Sequence, residues 1–434
     1  MVSSNSQGSS NSQGSSNGRG SPKGAKLAKN SASSSDAGSR LSLFLNTDFA
    51  SVWGIGAIAN VVRWLEMLVV AVYVFDVTGS AFQVALMTIM RMAPLALVGI
   101  FAGAMCERLN RPLILMAGYS ASGVIGTVSA VLIYTGQLEV WHLAAGAFMN
   151  GIVWAMDFPA RRTLLGEMAG QDKIGTAMSL DALTSNSTRM VGPAVGGLAL
   201  EGIGLGATFI AGAILHLITV LLLLRLGYAD KKDDGSPFTV WRDMRDGLAH
   251  VRSNRPLMAT LMVTIVFNLF GFPVTSMIPV IGREILELSP FPIGLLSSAD
   301  GVGAFIGGLL IAAYANPNHF KRLYFYGVFL YLDMVLLFSS GIVPWLSGAL
   351  LIIMGLGAAG FSAMQATLSF LHAAPEYRSR VMGILTVCIG SGPLGFAHVG
   401  LLADAVGAPL ATAIMAVEGI ALLIVVLLVW PEVE

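Results

Sequence analysis

Charge is what this chain has least of. Asp, Glu, Lys and Arg make up 12% of its 434 residues, apolar residues 55%, and the mean hydropathy is +0.74. A soluble domain carries roughly 25% charged residues to cover its surface, so a water-soluble globular protein is excluded. The charges also cancel, 25 basic against 25 acidic, so bulk charge gives no reason to expect a nucleic-acid partner. Cysteine is nearly absent. Cys106 and Cys388 fall in different halves of the chain and provide neither a disulfide framework nor metal-ligand spacing. No glycine-rich loop ends in Lys-Ser/Thr, no metal ligands cluster, and no nucleophile triad is visible. ATP hydrolysis in cis and enzymatic chemistry are therefore not expected, and neither is a cofactor, unless a proton serves as coupling ion.

What the chain has instead is apolar length and 50 glycines, small residues that let membrane helices approach closely. A span needs about 20 apolar residues. Twelve stretches qualify: 50–75, 81–105, 112–135, 140–158, 176–200, 206–226, 257–281, 292–314, 322–341, 345–369, 379–402 and 409–430. The expected fold is an all-α membrane protein of twelve transmembrane helices in two six-helix halves, 46–228 and 257–434. Residues 1–45 are a Ser/Asn/Gly-rich tail in which "SSNSQG" repeats at Ser3 and Ser9. Such a tract cannot bury enough apolar surface to fold, and it has no apolar core for a signal peptide. Residues 229–256 link the halves. There Val240, Met244, Leu248 and Val251 lie near helical spacing with Arg and Asp on other faces, which predicts an amphipathic helix on the membrane surface.

Basic residues orient the spans. Twenty-one of the 25 Lys and Arg fall in the tail, the even-numbered loops and the linker, whereas Arg283 stands alone on the other side. Both termini are thus expected in the cytoplasm of a multi-pass protein of the inner membrane. The remaining three, Arg63, Arg91 and Arg189, sit near mid-depth of spans one, two and five. Each costs roughly 2.5–3.5 kcal/mol there, too much for three incidental residues. Glu66 follows Arg63 by three residues, so the two are expected to pair along one helix face shared with Asn60. Asp181 is about two turns from Arg189, and Asp333 in span nine is a further candidate partner. Counted this way, the first half holds more buried positive charge than it neutralises, and the surplus predicts recognition of an anionic or amphipathic substrate. A substrate that took over Arg63 would free Glu66 to bind a proton. His216 reads as a satisfied core residue.

Gly192-Pro193 in span five is echoed 200 residues later by Gly392-Pro393 in span eleven, and Gly103 at the end of span two by Gly307-Gly308 near the end of span eight. Parallel duplication of this kind builds transporters that rock about a central site. The loop "GAMCERLNRP" (Gly103, Glu107, Arg108, Arg111) resembles the loop signature of the major facilitator superfamily, with Glu107 and Asn110 in place of its usual Asp and Gly. "GPAVGG" (Gly192, Pro193, Gly196, Gly197) resembles the packing motif of that superfamily's exporters. "DFPARRTLLGEM" and "PEYRSRVMG" look like its bacterial enterobactin-exporter and macrolide-efflux-like branch. The resemblance covers about residues 45–430. It implies a monomeric secondary transporter in the lipid bilayer, exporting a siderophore-like or drug-like molecule by alternating access, with the loop as gate. Two other readings fit the same chain: a lipid or lysophospholipid flippase on this fold, and a non-transporting membrane scaffold or sensor.

Overall fold

The computed structural model describes residues 43–227, 248–341, 343–374 and 377–433, and within them leaves out the side chains of 96, 98–108, 171, 379 and 433. The tail repeat, the linker up to residue 247 and the gate residues Gly103, Glu107 and Arg108 therefore lie outside the described side chains. Thr47–Glu434 pack as a single unit.

Every regular element described is helical. In chain order these are α1 (Thr47–Thr78), α2 (Ala81–Arg108), α3 (Arg111–Tyr134), α4 (Val140–Ala169), α5 (Ile174–Leu224), α6 (Arg255–Val266), α7 (Met277–Glu284), α8 (Pro290–Tyr314), α9 (Phe320–Phe338), α10 (Pro344–His372), α11 (Arg378–Ile389), α12 (Gly392–Val406) and α13 (Ala408–Val429). Among the described residues, eight stretches are long and apolar enough to cross a membrane: α1, α3, α5, Arg255–Glu284, α8, α10, Arg380–Val406 and α13. Helix α5 is broken at Gly204, whose φ of 78° and ψ of 171° are not helical. Only glycine adopts that conformation cheaply, so the 51-residue stretch consists of two helices meeting at that point.

Helix starts follow from local chemistry. Asn110 caps α3 by accepting from Leu113 N, and Asn254 caps α6 by accepting from Leu257 N, each at 3.1 Å. Each satisfies a backbone donor that the helix itself leaves free. Proline then interrupts regularity between α6 and α7. Residues Phe267–Gly271 form a π turn and Phe272–Ser276 a 3-10 turn. Pro273 has no N–H and its ring excludes the carbonyl four residues back, which is that of Leu269. That carbonyl faces Gly395 of α12, where any Cβ would collide with it.

We call the end of the bundle reached by Thr78 distal and the end holding Thr47 proximal. Extensive contacts join α1 to α5, α5 to α8, α8 to α10, and α2 to α4 and α12. At the α5–α8 crossing, a Cβ on Gly197 would strike the Pro290 carbonyl, and one on Gly294 the Pro193 carbonyl. Gly192 and Gly196 lie against Trp64 and Leu65 of α1. The span-five motif thus brings α5 against two helices at backbone distance. At the proximal end Arg255 Nε donates to Glu432 Oε1 at 2.6 Å, a bond that holds the Glu432 carboxyl below its ordinary range.

Candidate functional site

The buried charges of α1–α5 form a ladder of pairs between helices. Asn60 Nδ2 donates back to Gly56 O, and its Oδ1 accepts from Arg63 Nη1 at 2.6 Å. Arg63 reaches Asp157 of α4 at 3.5 Å and lies over the Trp154 ring, 4.7 Å from its centroid. Glu66 does not pair with Arg63. Its Oε2 accepts from Arg91 Nη2 of α2 at 2.9 Å and from Asn150 Nδ2 of α4 at 3.3 Å. The expected pair along one helix face gives way to pairs across helices. The reason is packing: α2 and α4 present partners where both charges are almost wholly shielded, Arg91 and Glu66 being each 7% exposed.

The ladder continues proximally. Tyr119 donates to Asp157 Oδ1 at 2.5 Å, and Arg161 Nε to the same oxygen at 3.3 Å. Asp181 accepts from Arg161 and from Arg162, so it serves α4 rather than Arg189. Arg111 pairs with Glu167 at 2.9 Å. His216 stacks on Tyr119, with ring centroids 5.9 Å apart, and its Nδ1 is buried without a partner. Arg63, Arg91 and Arg189 each have a carboxylate partner, but Arg63 shares Asp157 with Arg161, and Arg189 takes its partner from α8 rather than from the first half. Asp157 of α4 and Asp300 of α8 supply partners that spacing along one helix does not indicate.

Arg189 leaves the ladder and pairs with Asp300 of α8. Beside this pair lies a cavity of about 80 Å³ walled by Trp64, Met67 and Leu68 of α1, Thr88 of α2, Phe272 and Ser276 of the interrupted segment, and Phe396 of α12. Asp300 is 4% exposed and its Oδ1 has no partner. The Tyr331 hydroxyl is also buried and unsatisfied. Typical ligand sites hold roughly 300–1,000 Å³, so this cavity is collapsed and must widen to accept an organic molecule. Asp333, expected in the site, is half-buried on α9 and does not line it.

At the distal end carboxylates join α1–α5 to the later helices. Asp76 pairs with Arg283 at 2.7 Å. Glu201 of α5 accepts from the Ser289 hydroxyl and from Phe291 N at the start of α8, at 2.8 and 2.9 Å. Asp404 of α12 accepts from the Ser80 hydroxyl and from Phe82 N at the start of α2, at 2.8 and 3.0 Å. A carboxylate at a helix start meets both free N–H groups and the positive end of the helix dipole. Both acids stand three residues before a positive-φ glycine, Gly204 and Gly407, and both bind a Ser-x-Phe start.

The family model described as transmembrane secretion effector matches residues 38–433. The chain belongs to this transmembrane secretion effector family, of the major facilitator type. The chain is similar to macrolide efflux protein A of Streptococcus pyogenes, 23% identical over 83% of the chain and 90% of that protein. It is also similar to the staphyloferrin A transporter of Staphylococcus aureus, 24% identical over 84% of the chain and 91% of that protein. Among solved structures, a POT family transporter in complex with 5-aminolevulinic acid superposes with a TM-score of 0.73 at 10% identity, covering 89% of the chain and 96% of that structure. The nucleoside transporter NupG gives 0.72 at 12% identity, covering 88% and 99%. These two likenesses concern the fold alone. The family and these relatives are transporters rather than enzymes.

Proposed function

We propose that this protein exports an amphipathic organic small molecule by alternating access, and that the molecule binds in the cavity beside Arg189 and Asp300. The observation that carries the reading is the composition of that cavity. It is walled from α1, α2 and α5 on one side and from α8, α12 and the interrupted segment on the other, so widening it means moving the two groups apart. Its apolar walls suit a hydrophobic body, and a cation–carboxylate pair at its edge offers hydrogen bonds to a polar group in place of its own. Siderophore-like and drug-like compounds meet that description, as the names of two relatives suggest.

The finer architecture belongs to the same proposal. The chain has twelve spans in two six-helix halves, 46–228 and 257–434, with both termini in the cytoplasm. Arg63, Arg91 and Arg189 aside, the basic residues favour the proximal side, and the reciprocal Glu201 and Asp404 caps relate the halves. The distal end then faces outward, and its three carboxylate contacts hold the outer gate shut. Glu66 takes the coupling proton, with Arg91 as the partner that must release it. The test is efflux and uptake in reconstituted vesicles, screened over amphipathic metabolites with and without a proton gradient. Wild-type rates in both Asp300→Asn and Arg189→Gln would sink the central-site assignment.

A further inference from the structure

A groove outside the central cavity carries a titratable pair that the reading above leaves unused. It lies between the irregular segment 267–276, α12 and α13, and is lined by Leu269, Phe270, Leu394, Gly395, His398 and Glu418 among others. Its volume is about 480 Å³ and one side is open, a size in the range of drug-sized ligand sites. His398 Nε2 lies 2.9 Å from Glu418 Oε2, with the side chains 43% and 40% exposed. The surrounding surface is apolar, including the exposed Leu394, Leu401, Val417 and Leu422. Glu418 is near the middle of the 22-residue α13, about 15 Å from either helix end at 1.5 Å per residue. On the span assignment above, a carboxylate thus faces the hydrocarbon at mid-depth.

That placement is costly, and it differs from the rest of the molecule. The Glu66–Arg91 pair, which locks helices together, is turned inward and only 7% exposed. The His398–Glu418 pair instead edges an open groove. It also keeps free capacity. Glu418 Oε1 has no partner among the described residues, and neither has His398 Nδ1, an acceptor when the imidazole donates its Nε2–H to Glu418. Two acceptors in an apolar groove, one of them on a carboxyl group, suit a ligand that brings donors and positive charge.

We propose that this groove binds an amphipathic amine dissolved in the bilayer, with its ammonium on Glu418 and its apolar body against Phe270 and Leu422. The groove and the central cavity share a thin wall. Gly395 lines the groove while Phe396 lines the cavity, and Phe270 lines the groove while Phe272 lines the cavity. The Phe272 and Phe396 rings meet edge to face, with centroids 5.7 Å apart. The wall is formed by the π and 3-10 turns, where Pro273 has broken the regular helix, and π turns recur at functional sites. The groove is thereby a membrane-side antechamber to the central cavity. This step rests on the transporter reading for its purpose, while binding itself does not.

The experiment uses the full chain in phosphatidylcholine nanodiscs and tritiated dodecyldimethylamine as probe, with dodecanol and dodecanoate as length-matched competitors. Saturable binding is expected that neither competitor displaces efficiently. Glu418→Gln removes the charge, and Ala421→Phe fills the groove from its exposed edge. Each is expected to weaken binding roughly tenfold or more, as loss of a charge-assisted hydrogen bond does. Unaltered affinity in both groove variants overturns the proposal. So does equal displacement by dodecanol, or a Glu418→Gln variant that changes only the oligomeric state, which would make the groove a contact between copies. If Glu418→Gln loses amine binding while Asp300→Asn and Arg189→Gln transport at the wild-type rate, the central-site reading falls and the groove stands. If both central variants stop transport while amine binding ignores Glu418, the groove falls alone.

Discussion

Asp300→Asn is the sharpest test of the central pair. Asparagine keeps the shape and one acceptor oxygen, so the change removes charge with little change in volume. Loss of one partner of a fully buried pair costs roughly 3–5 kcal/mol. Arg189, however, is 21% exposed where it borders the cavity, and water can reach it, so about 1–3 kcal/mol is the better figure. The pair joins α5 to α8. If the bundle breaks it on opening distally, that energy shifts the closed-to-open ratio roughly 5- to 150-fold. The readout is the rate at which a membrane-impermeant thiol reagent, added from the distal side, modifies Ala71→Cys in a background with Cys106 and Cys388 changed to Ser. Ala71 lines the cavity and is small. The rate should rise about tenfold in Asp300→Asn, and by no more in the Asp300→Asn/Arg189→Gln double variant, since the partners share one interaction. An unchanged rate, or multiplicative effects in the double variant, would refute the reasoning.

Other expectations follow from single contacts. Glu66→Gln should abolish the proton dependence of transport in reconstituted vesicles, and transport that stays proton-driven would remove Glu66 from the coupling role. Gly197→Val places a side chain against the Pro290 carbonyl and should open the distal end, raising thiol access at Ala71→Cys at least as much as Asp300→Asn does; wild-type access would show that α5 and α8 do not need backbone contact to close. The Glu432 carboxyl is held below its ordinary range by Arg255. A group whose folded pKa is depressed stabilises above its unfolded pKa and loses that contribution as pH falls through the folded one. Hydrogen-exchange protection of the last turn of α13 should therefore fall on acidification through and below the usual carboxylate range, and Glu432→Gln should flatten that pH dependence.

An all-helical chain with long apolar stretches was legible in the sequence because hydropathy and helix length record the solvent directly, and eight such stretches stand among the described residues. The mid-span arginines were legible for the same reason, since each breaks an apolar run. Their partners were not. Glu66 is three residues from Arg63, and helix spacing alone makes them neighbours, yet Glu66 bonds Arg91 and Arg63 bonds Asp157. Sequence spacing ranks contacts within a helix, whereas pairing between helices depends on how α1, α2 and α4 rotate against one another. Asp300 left a signal that went unused: an acid inside an apolar span deserves the same suspicion as an arginine. Glu418 and His398 left the same signal. Asp333 shows the converse, an acid within the apolar helix α9 that the fold keeps away from the cavity.

The two parts of the proposed machinery meet on helix α1. Trp64 and Leu68 of α1 line the central cavity, while Glu66, between them in sequence, turns to Arg91 and the ladder. Met67, Ala71, Val84 and Thr88 line both that cavity and a second one of about 30 Å³ that reaches Glu66, Arg91 and Asn150. A further cavity of similar size holds Glu66, Arg91, Tyr119, Asp157 and His216, and each has room for a water or two. A ligand that widens the central cavity by pushing on Met67 or Ala71 moves α1, and with it Glu66, one residue from Met67. Substrate and proton therefore need not touch the same group to be coupled. They need only share one rigid helix whose two faces open on different cavities, and in such an arrangement bulk added at Ala71 should alter proton dependence as well as substrate affinity.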